Sequence, residues 1–318
     1  MKVKNTRSGP SASFVHCAAE YDTSAEFLAI TLPLIEQARR QGAPVAVIAA
    51  APTVRLLREI TGSDRELILL PPPAPELRRS GQSIATMRAR EFRELTDRAD
   101  SAIVIAHYDP EQSLFDPAAW AEAEAALNIA VTDLPLTIAC LYRKQLKAEL
   151  AAPIQWNHLQ LLGRGGTVRP NPAYRPPAQV LASYPVRAPV AFGPPDSELR
   201  FNPWQLTDLR VLLQEVVTQS GLDQERAEDF VSAVNEVASN AVEHGSSVGL
   251  LQTWLRPQFL ACEVHDSGSL GQPIPGLRPP RSNDPRGRGL WIARQLCDLL
   301  HVWADRQGTH VRVQVARR

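Results

Sequence analysis

The sequence lacks a net charge, a long apolar run and a targeting signal. Its 318 residues contain 34 Lys and Arg against 34 Asp and Glu, and neither half has the basic surplus that holds a protein on nucleic acid or anionic lipid. The most apolar stretch, 43–54, is broken by Pro44 and Pro52 and is too short to span a bilayer. No apolar run follows Lys2 and Lys4, so no signal peptide is expected. These absences predict a cytoplasmic protein that binds neither nucleic acid nor membrane.

Cysteine and lysine are both scarce. The four cysteines are far apart in sequence and have neither metal-ligand nor redox spacing, which favours reduced residues of the core: Cys17, Cys140, Cys262 and Cys297. The only lysines are Lys2, Lys4, Lys144 and Lys147. Phosphate chemistry in the second half of the chain must therefore use backbone amides, a metal ion and arginines, because a P-loop mechanism needs a lysine.

The length predicts about two domains, and proline marks the boundary between them. Nine of the 27 prolines lie between Arg169 and Trp204, where they remove backbone donors and fix φ angles. Such a segment is expected to be neither helix nor central strand. We therefore place a first domain at 1–178, a proline-rich linker at 179–195 and a second domain at 196–318.

The two domains differ in the order of their predicted elements. In the first, buried strands alternate with helices, which predicts βαβ units and a mostly parallel sheet. The predicted strands are 13–17, 45–50, 67–70, 102–106 and 136–141, and the helices are 23–40, 54–60, 83–98 and 118–131. The second domain is predicted to be α+β, with helices on one face of a mixed sheet. Its helices are 206–220, 223–245 and 289–300, and its strands are 248–255, 259–266, 301–305 and 309–316.

Polar residues of the second domain recur at positions that suggest a site. Glu236, Asn240 and His244 lie four residues apart, opposite the apolar face of their helix. These three alone are typical of a solvated face, but a mid-helix Asn has poor propensity unless its amide has a task. Asp266 ends a strand whose inward positions are apolar, so its carboxylate is expected to be sheltered and hydrogen-bonded. Gly268 would let a ligand approach closely.

A glycine-containing segment, Gly287-Arg288-Gly289-Leu290, opens the next predicted helix. Glycines at a helix N-terminus expose backbone amides that can bind an anion. Taken alone, this pattern is equally typical of an ordinary junction between a loop and a helix.

In order, these pieces resemble the GHKL ATPase and kinase superfamily over about residues 196–318. The matching motifs are Asn235-Glu236-Val-Ala-Ser-Asn240-Ala-Val-Glu-His244-Gly245 for the N box, His265-Asp266-Ser-Gly268 for the G1 box, Gly287-Arg288-Gly289-Leu290 for the G2 box, and a closing Gly308-Thr309. The resemblance is strongest to the anti-sigma regulatory factors, which are serine/threonine protein kinases. It implies the Bergerat α/β sandwich fold.

The resemblance also implies a role for each matching residue. Asn240 would coordinate Mg²⁺, Glu236 would be the catalytic base that orients the attacking hydroxyl, and Asp266 would accept the adenine amino group. Gly268 would leave room for the base and Thr309 would contact it. The G2 residues Gly287, Arg288, Gly289 and Leu290 would form the ATP-phosphate end of the site.

The loop 269–286 would be the ATP lid. It departs from the family where Ser269-Leu270-Gly271 replaces the usual Gly-x-Gly, and it is rich in proline. Arg278, Arg281 and Arg286 are candidate contacts for phosphate or a partner, or ordinary solvated charges.

The implied function is ATP-dependent regulation of bacterial transcription. The protein would bind Mg·ATP, phosphorylate Ser or Thr of a STAS-type anti-sigma-factor antagonist, hold a sigma factor, or do both, and a homodimer is expected. The alternative is a non-catalytic module in which ATP shapes the lid to hold a partner; Glu236 favours the enzyme because a pure binder needs no base. Autophosphorylation on His is not expected, since the proline-rich segment occupies the place of a dimerising helix pair.

The first domain resembles the MEDS sensory domains of bacterial regulators over about residues 12–178. The resemblance rests on Phe14-Val-His16-Cys-Ala-Ala-Glu-Tyr21 and Glu26-Phe27, on Pro33, Gly42 and Pro44, and on Asn128, Cys140-Leu-Tyr142 and His158. It implies a small-molecule signal, and His16, Tyr21, Tyr142 and His158 are candidates for lining its cleft at the strand ends. Buried structural roles for these four residues remain open. A small-molecule enzyme is disfavoured because no nucleophile–base motif is present.

Overall fold

The computed structural model describes residues 13–62, 67–73, 77, 80–108, 117–145, 148–245, 247–280 and 288–317. The chain forms two compact units. The first comprises 1–72, 89–114 and 131–176, and the second comprises 73–88, 115–130 and 177–318. The second unit thus includes two segments that precede the proline-rich segment in sequence. The domain ranges given above stay a prediction.

The part of the chain before the proline-rich segment carries a seven-stranded sheet in the order β3-β2-β4-β5-β1-β6-β7. Neighbouring strands are parallel except for β6 and β7, which confirms the predicted mostly parallel sheet. The elements are β1 (Val15–Tyr21), α1 (Ser24–Gln41), β2 (Val45–Ile48), α2 (Ala51–Thr61), β3 (Leu67–Leu69), α3 (Gly81–Thr96), β4 (Ala102–Tyr108), α4 (Pro117–Ala130), β5 (Leu136–Arg143), α5 (Ala148–Asn157), β6 (Gln160–Leu162) and β7 (Val168–Pro170).

Local sequence signals explain where the first helix begins and ends. The side chain of Thr23 caps α1 by accepting a hydrogen bond from the amide of Glu26 at 3.2 Å. Gly42 ends the helix with φ of 65°, a left-handed conformation that favours glycine. The apolar face of α1, with Phe27 and Ile35, is buried against apolar residues of the sheet such as Ile105.

The second unit contains a five-stranded sheet in the order β11-β12-β10-β9-β8. Its elements from Pro177 onward are α6 (Pro177–Ser183), β8 (Ser197–Phe201), α7 (Leu206–Ser220), α8 (Gln224–His244), β9 (Gly249–Leu255), β10 (Phe259–Asp266), α9 (Arg288–Leu296), β11 (Leu299–Asp305) and β12 (Gly308–Ala316). The apolar residues of α8, including Phe230 and Val234, pack in one core with Leu260, Val264 and Val313 of the sheet. The α/β fold class is confirmed.

Three details of the sequence prediction were wrong. The second sheet is antiparallel throughout. The strands β10 and β11, which are connected through α9, are not neighbours, because β12 lies between them and pairs with both. The last helix ends at Leu296 and not at Leu300, since Leu299 and Leu300 pair with β12. The proline-rich segment does contain a short helix, which begins at Pro177. Proline is tolerated at the first position of a helix because a backbone N–H there would have no hydrogen-bond partner within the helix.

No helix in the described part of the chain combines the length and the apolar character needed to cross a membrane.

A buried arginine joins three elements of the second unit. Arg294 on α9 is 1% exposed and donates hydrogen bonds to the carbonyl of Pro275 at 3.0 Å, the carbonyl of Leu300 at 3.0 Å and Oε1 of Gln82 at 2.8 Å. The Gln82 amide also exchanges two hydrogen bonds with the backbone of Val302 on β11. Burial lowers the pKa of Arg294 to about 10. The first turn of α3 is thereby fixed to the five-stranded sheet.

We predict that Arg294→Ala lowers the free energy of unfolding by about 3 kcal/mol or more, because it deletes a large buried side chain and three hydrogen bonds. Urea denaturation followed by tryptophan fluorescence measures the change. Arg210→Ala, at an exposed position of α7, is the matched control and should change the stability by no more than about 0.5 kcal/mol. Equal effects of the two substitutions would contradict the structural role of Arg294.

Candidate functional site

A cavity of about 370 Å³ lies in the second unit between α8, the sheet, the start of α9 and the loop after β10. Its volume is in the range of small-molecule sites. It is lined by Val237, Asn240, Ala241, His244, Gly245, Val264, Asp266, Ser269, Leu270, Gly271, Gln272, Pro275, Leu290, Val302, Thr309 and Val311. Several residues that the sequence singled out thus meet at one place.

Helix α8 brings two of the predicted residues together on successive turns. Asn240 follows Glu236 by four residues, and its Nδ2 donates a hydrogen bond to the Glu236 carbonyl at 2.8 Å. The amide nitrogen is thereby committed to the helix backbone, so Oδ1 is the atom of Asn240 that can bind a cation. Both side chains are half-buried. His244 lies one turn beyond Asn240 and also lines the cavity.

Asp266 lies at the far end of β10, where the predicted shelter is observed. The residue is buried, and its Oδ1 accepts a hydrogen bond from the amide of Gly268 at 2.7 Å. Burial raises the pKa of Asp266, although the Gly268 amide and the charges of His265 and His310 oppose that effect. Thr309 pairs with Asp266 across the sheet, and its hydroxyl donates to the Gly268 carbonyl at 3.1 Å.

Two glycines are needed beside this carboxylate. A Cβ added to Gly268 would lie 2.6 Å from Asp266 Oδ1 and 2.8 Å from the Cα of Gly245. A Cβ added to Gly245 would collide with the same carboxylate oxygen. In the sequence, Gly245 stands at the end of the predicted helix 223–245 and closes the N box motif. The structure shows that it also leaves room for Asp266.

The N-terminus of α9 lies against the other polar residues of the site. A Cβ on Gly289 would lie 2.5 Å from Glu236 Oε2 and 3.0 Å from Asn240 Nδ2. The first turn of a helix offers backbone amides and a partial positive charge. Glu236, Asn240 and these amides therefore form one polar end of the site, opposite Asp266.

The remaining predicted residues of this domain are placed as follows. Leu290 lines the cavity, whereas Arg288 is exposed where α9 begins. The predictions for Gly287, Arg281 and Arg286 fall outside the described residues. Arg278 donates a hydrogen bond to the Ile129 carbonyl at 2.9 Å.

Sequence reasoning missed the apolar walls of the cavity, which include Val264, Val302 and Val311. Alternation along the strands gives these side chains an inward direction, but alternation cannot distinguish a cavity wall from a packed core. The complete arrangement can hold a flat apolar ring that donates a hydrogen bond to Asp266. The opposite end can hold an anionic group with its metal ion.

The four residues predicted to line a sensory cleft divide into two groups in the first unit. His16, Tyr142 and His158 lie together: the rings of His16 and His158 are 4.2 Å apart, and Tyr142 Oη is 3.4 Å from His158 Nε2. Tyr21 instead hydrogen bonds to Nε2 of His107. His16 and Tyr21 are separated by an odd number of strand positions, so their side chains lie on opposite faces of β1. The sensory role stays a prediction.

Comparison with known proteins identifies part of the chain. The family model described as a histidine kinase-like ATPase domain matches residues 199–315. The crystal structure of the RsbU and RsbW domains of Rv1364c from Mycobacterium tuberculosis is similar over 42% of this chain, with 21% sequence identity and a TM-score of 0.28. The match covers 34% of that chain, so the present chain spans about a third of its length. No curated protein matches.

We predict that Asp266→Asn stabilises the protein near pH 7 and less at about pH 4. Burial raises the pKa of Asp266 in the folded state. The protonated side chain therefore contributes stability that is fully present below the pKa of the unfolded state. This stability is lost as the pH rises through the pKa of the folded state. Asn carries no charge and keeps the acceptor for Gly268. Thermal unfolding should show a gain in Tm on the order of 2 °C near neutral pH.

Asp305→Asn is the matched control of opposite sign. Asp305 is exposed, and its pKa is lowered, chiefly by the backbone amide of Gln307. Its charge contributes stability above the unfolded pKa, and this contribution is lost as the pH falls through the folded pKa. Asp305→Asn should therefore lower Tm near pH 7. A loss of stability in Asp266→Asn at neutral pH would contradict the prediction for Asp266.

Proposed function

We propose that the histidine kinase-like ATPase domain of residues 199–315 binds Mg·ATP and transfers the γ-phosphoryl group to a Ser or Thr of a small partner protein. The partner would be a STAS-type anti-sigma-factor antagonist, and the reaction would regulate transcription in the bacterial cytoplasm. The observation that carries this proposal is that Asp266 and Asn240 line one cavity, and that Glu236 and Asn240 lie against Gly289 at the start of α9.

The Asp266 end of the cavity fits an adenine base. A carboxylate can accept hydrogen bonds from the exocyclic amino group, and the Val264 and Val311 side chains provide apolar surface for the ring. Gly245 and Gly268 have no side chains that would fill the space beside the carboxylate. The hydroxyl of Thr309 lies at the same end.

The opposite end fits phosphate groups and a magnesium ion. Asn240 offers one side-chain oxygen, and Mg²⁺ in such sites takes one or two protein oxygens and keeps several waters. The backbone at Gly289 can be approached closely because no side chain covers it. Residues 196–318 contain no lysine, so the amides of α9 would carry the role that a lysine has in P-loop enzymes. Bound Mg²⁺ would neutralise charge on the phosphate oxygens.

Glu236 is positioned to handle the proton of the attacking hydroxyl. Its Oε2 lies against Gly289, at the start of the helix that would bind the phosphates. In the proposed reaction the partner's hydroxyl oxygen bonds to the γ-phosphorus, ADP leaves, and the hydroxyl proton passes to Glu236. Since phosphoryl transfer depends mainly on positioning and charge neutralisation, this small set of residues suffices.

We predict that Asn240→Ala weakens Mg·ATP binding at least tenfold and removes its dependence on Mg²⁺, because the substitution deletes the proposed metal ligand. Isothermal titration of the full chain with ATP, with and without Mg²⁺, measures both effects. Gln214→Ala, at an exposed position of α7, is the control and should bind as the wild type does. Absence of binding to folded wild-type protein would refute the proposed function. Unchanged Mg²⁺-dependent binding in Asn240→Ala would refute the role of Asn240.

We predict that Glu236→Gln keeps the affinity for Mg·ATP and slows phosphoryl transfer by about 100-fold or more, as expected for loss of a general base. The assay incubates the protein with radiolabelled ATP and STAS-type antagonist proteins from the same genome. Glu243→Gln, at an exposed position of the same helix, is the matched control and should transfer at the wild-type rate. Equal rates in both variants would remove the role of Glu236. Tight ATP binding without transfer by the wild type would favour the non-catalytic binding module.

A further inference from the structure

Three potential metal ligands of the first unit lie on or beside neighbouring strands. His16 is on β1, Cys140 is on β5, and His158 lies between α5 and β6. In the sheet, β1 lies between β5 and β6. Cys140 is paired with Ala18, two positions along β1 from His16, so the His16 and Cys140 side chains lie on the same face of the sheet.

The distances among these side chains are close to those of a coordination site. His16 Nε2 is 3.3 Å from Cys140 Sγ, and the His16 and His158 rings are 4.2 Å apart. One ligand atom from each of the three residues lies within 4.8 Å of the other two. Around tetrahedral zinc, with bonds of about 2.0 to 2.3 Å, neighbouring ligand atoms are about 3.3 to 3.6 Å apart. Binding therefore requires side-chain shifts of only about 1 Å.

The hydrogen bonding of His158 presents the correct nitrogen. Its Nδ1 lies 2.6 Å from the Ile154 carbonyl oxygen, which can only accept, so Nδ1 carries the proton and Nε2 is the coordinating atom of the neutral ring. A ligating histidine in proteins commonly donates its other N–H to a backbone carbonyl in this way. Neutral imidazole is the form that binds metals.

The chemical composition of the cluster selects the type of metal. His16, Cys140 and His158 are 1%, 5% and 0% exposed, respectively. Two imidazoles and a thiolate are ligands that zinc prefers, whereas Mg²⁺ and Ca²⁺ prefer oxygen. A buried thiolate is unfavourable without a cation beside it.

We propose that His16, Cys140 and His158 bind one zinc ion. The Cys140 thiol loses its proton to solvent as the S–Zn bond forms, and neither the metal nor the sulfur changes its oxidation state. The site uses residues outside the ATPase domain and does not depend on the proposed kinase activity. It gives Cys140 a role other than the core packing expected from sequence.

The test uses the full chain, stripped of metal with a chelator and titrated with Co²⁺ as a spectroscopic substitute for zinc. We expect one ion per chain and a sulfur-to-cobalt charge-transfer band, which zinc should then displace. Cys140→Ala should abolish the band and weaken binding at least tenfold. The matched control is Cys17→Ala: Cys17 is an equally buried thiol on the same strand as His16, but it lies on the opposite face and contacts the Ile138 carbonyl.

Two results would overturn the proposal. One is a folded wild-type chain that binds no stoichiometric Co²⁺ or shows no charge-transfer band. The other is a band that is lost in Cys17→Ala and retained in Cys140→Ala. The wild-type measurement decides the question even if Cys140→Ala fails to fold, and circular dichroism of each variant establishes folding.

Discussion

The carboxyl end of β10 is packed so closely that glycine is required on three sides of Asp266. Gly245 follows the end of α8, Gly268 lies in the turn after β10, and Gly308 begins β12; a Cβ at any of them would collide with Asp266 or with the adjoining residue. Gly308 also has φ of 140°, which favours glycine. Because three elements converge on Asp266, two at its carboxylate and β12 at its backbone, this packing fixes the end of α8 relative to the sheet. The position of Asn240 and Glu236 on earlier turns of α8 follows from it.

The same packing has an energetic consequence. An ionised Asp266 is disfavoured by burial, yet the proposed recognition of an adenine amino group needs a hydrogen-bond acceptor at that position. The opposite end of the cavity depends on another close contact, between Gly289 and the Glu236 and Asn240 side chains. Both ends therefore use glycine to bring backbone against polar side chains. Such local conflicts with stability are typical of functional sites.

The sequence predicted what depends on short-range periodicity and missed what depends on strand neighbours. Four-residue spacing placed Glu236 and Asn240 together, and alternation along β10 predicted the shelter of Asp266. The antiparallel sheet was missed because the insertion of β12 between β10 and β11 involves pairing between distant segments. The separation of His16 from Tyr21 follows from strand parity and could have been predicted.

The cluster of His16, Cys140 and His158 could not have been read from sequence spacing. His16 and Cys140 are 124 residues apart, so no local motif links them. They become neighbours because β1 enters the sheet between β5 and β6. The wide spacing of the cysteines in sequence gives no information on ligands that the sheet assembles.

The second unit extends beyond the residues that the family model matches. The side chain of Gln82 on α3 accepts a hydrogen bond from the Val302 amide and donates one to the Val302 carbonyl, as a neighbouring strand would. The same Oε1 accepts from the buried Arg294, which also holds the carbonyl of Pro275 in the cavity wall. A fragment that begins near residue 196 would lack Gln82 and expose this edge of β11. The first turn of α3, with Gln82, therefore belongs to the structure that supports the cavity, although it precedes the proline-rich segment by more than 80 residues in sequence.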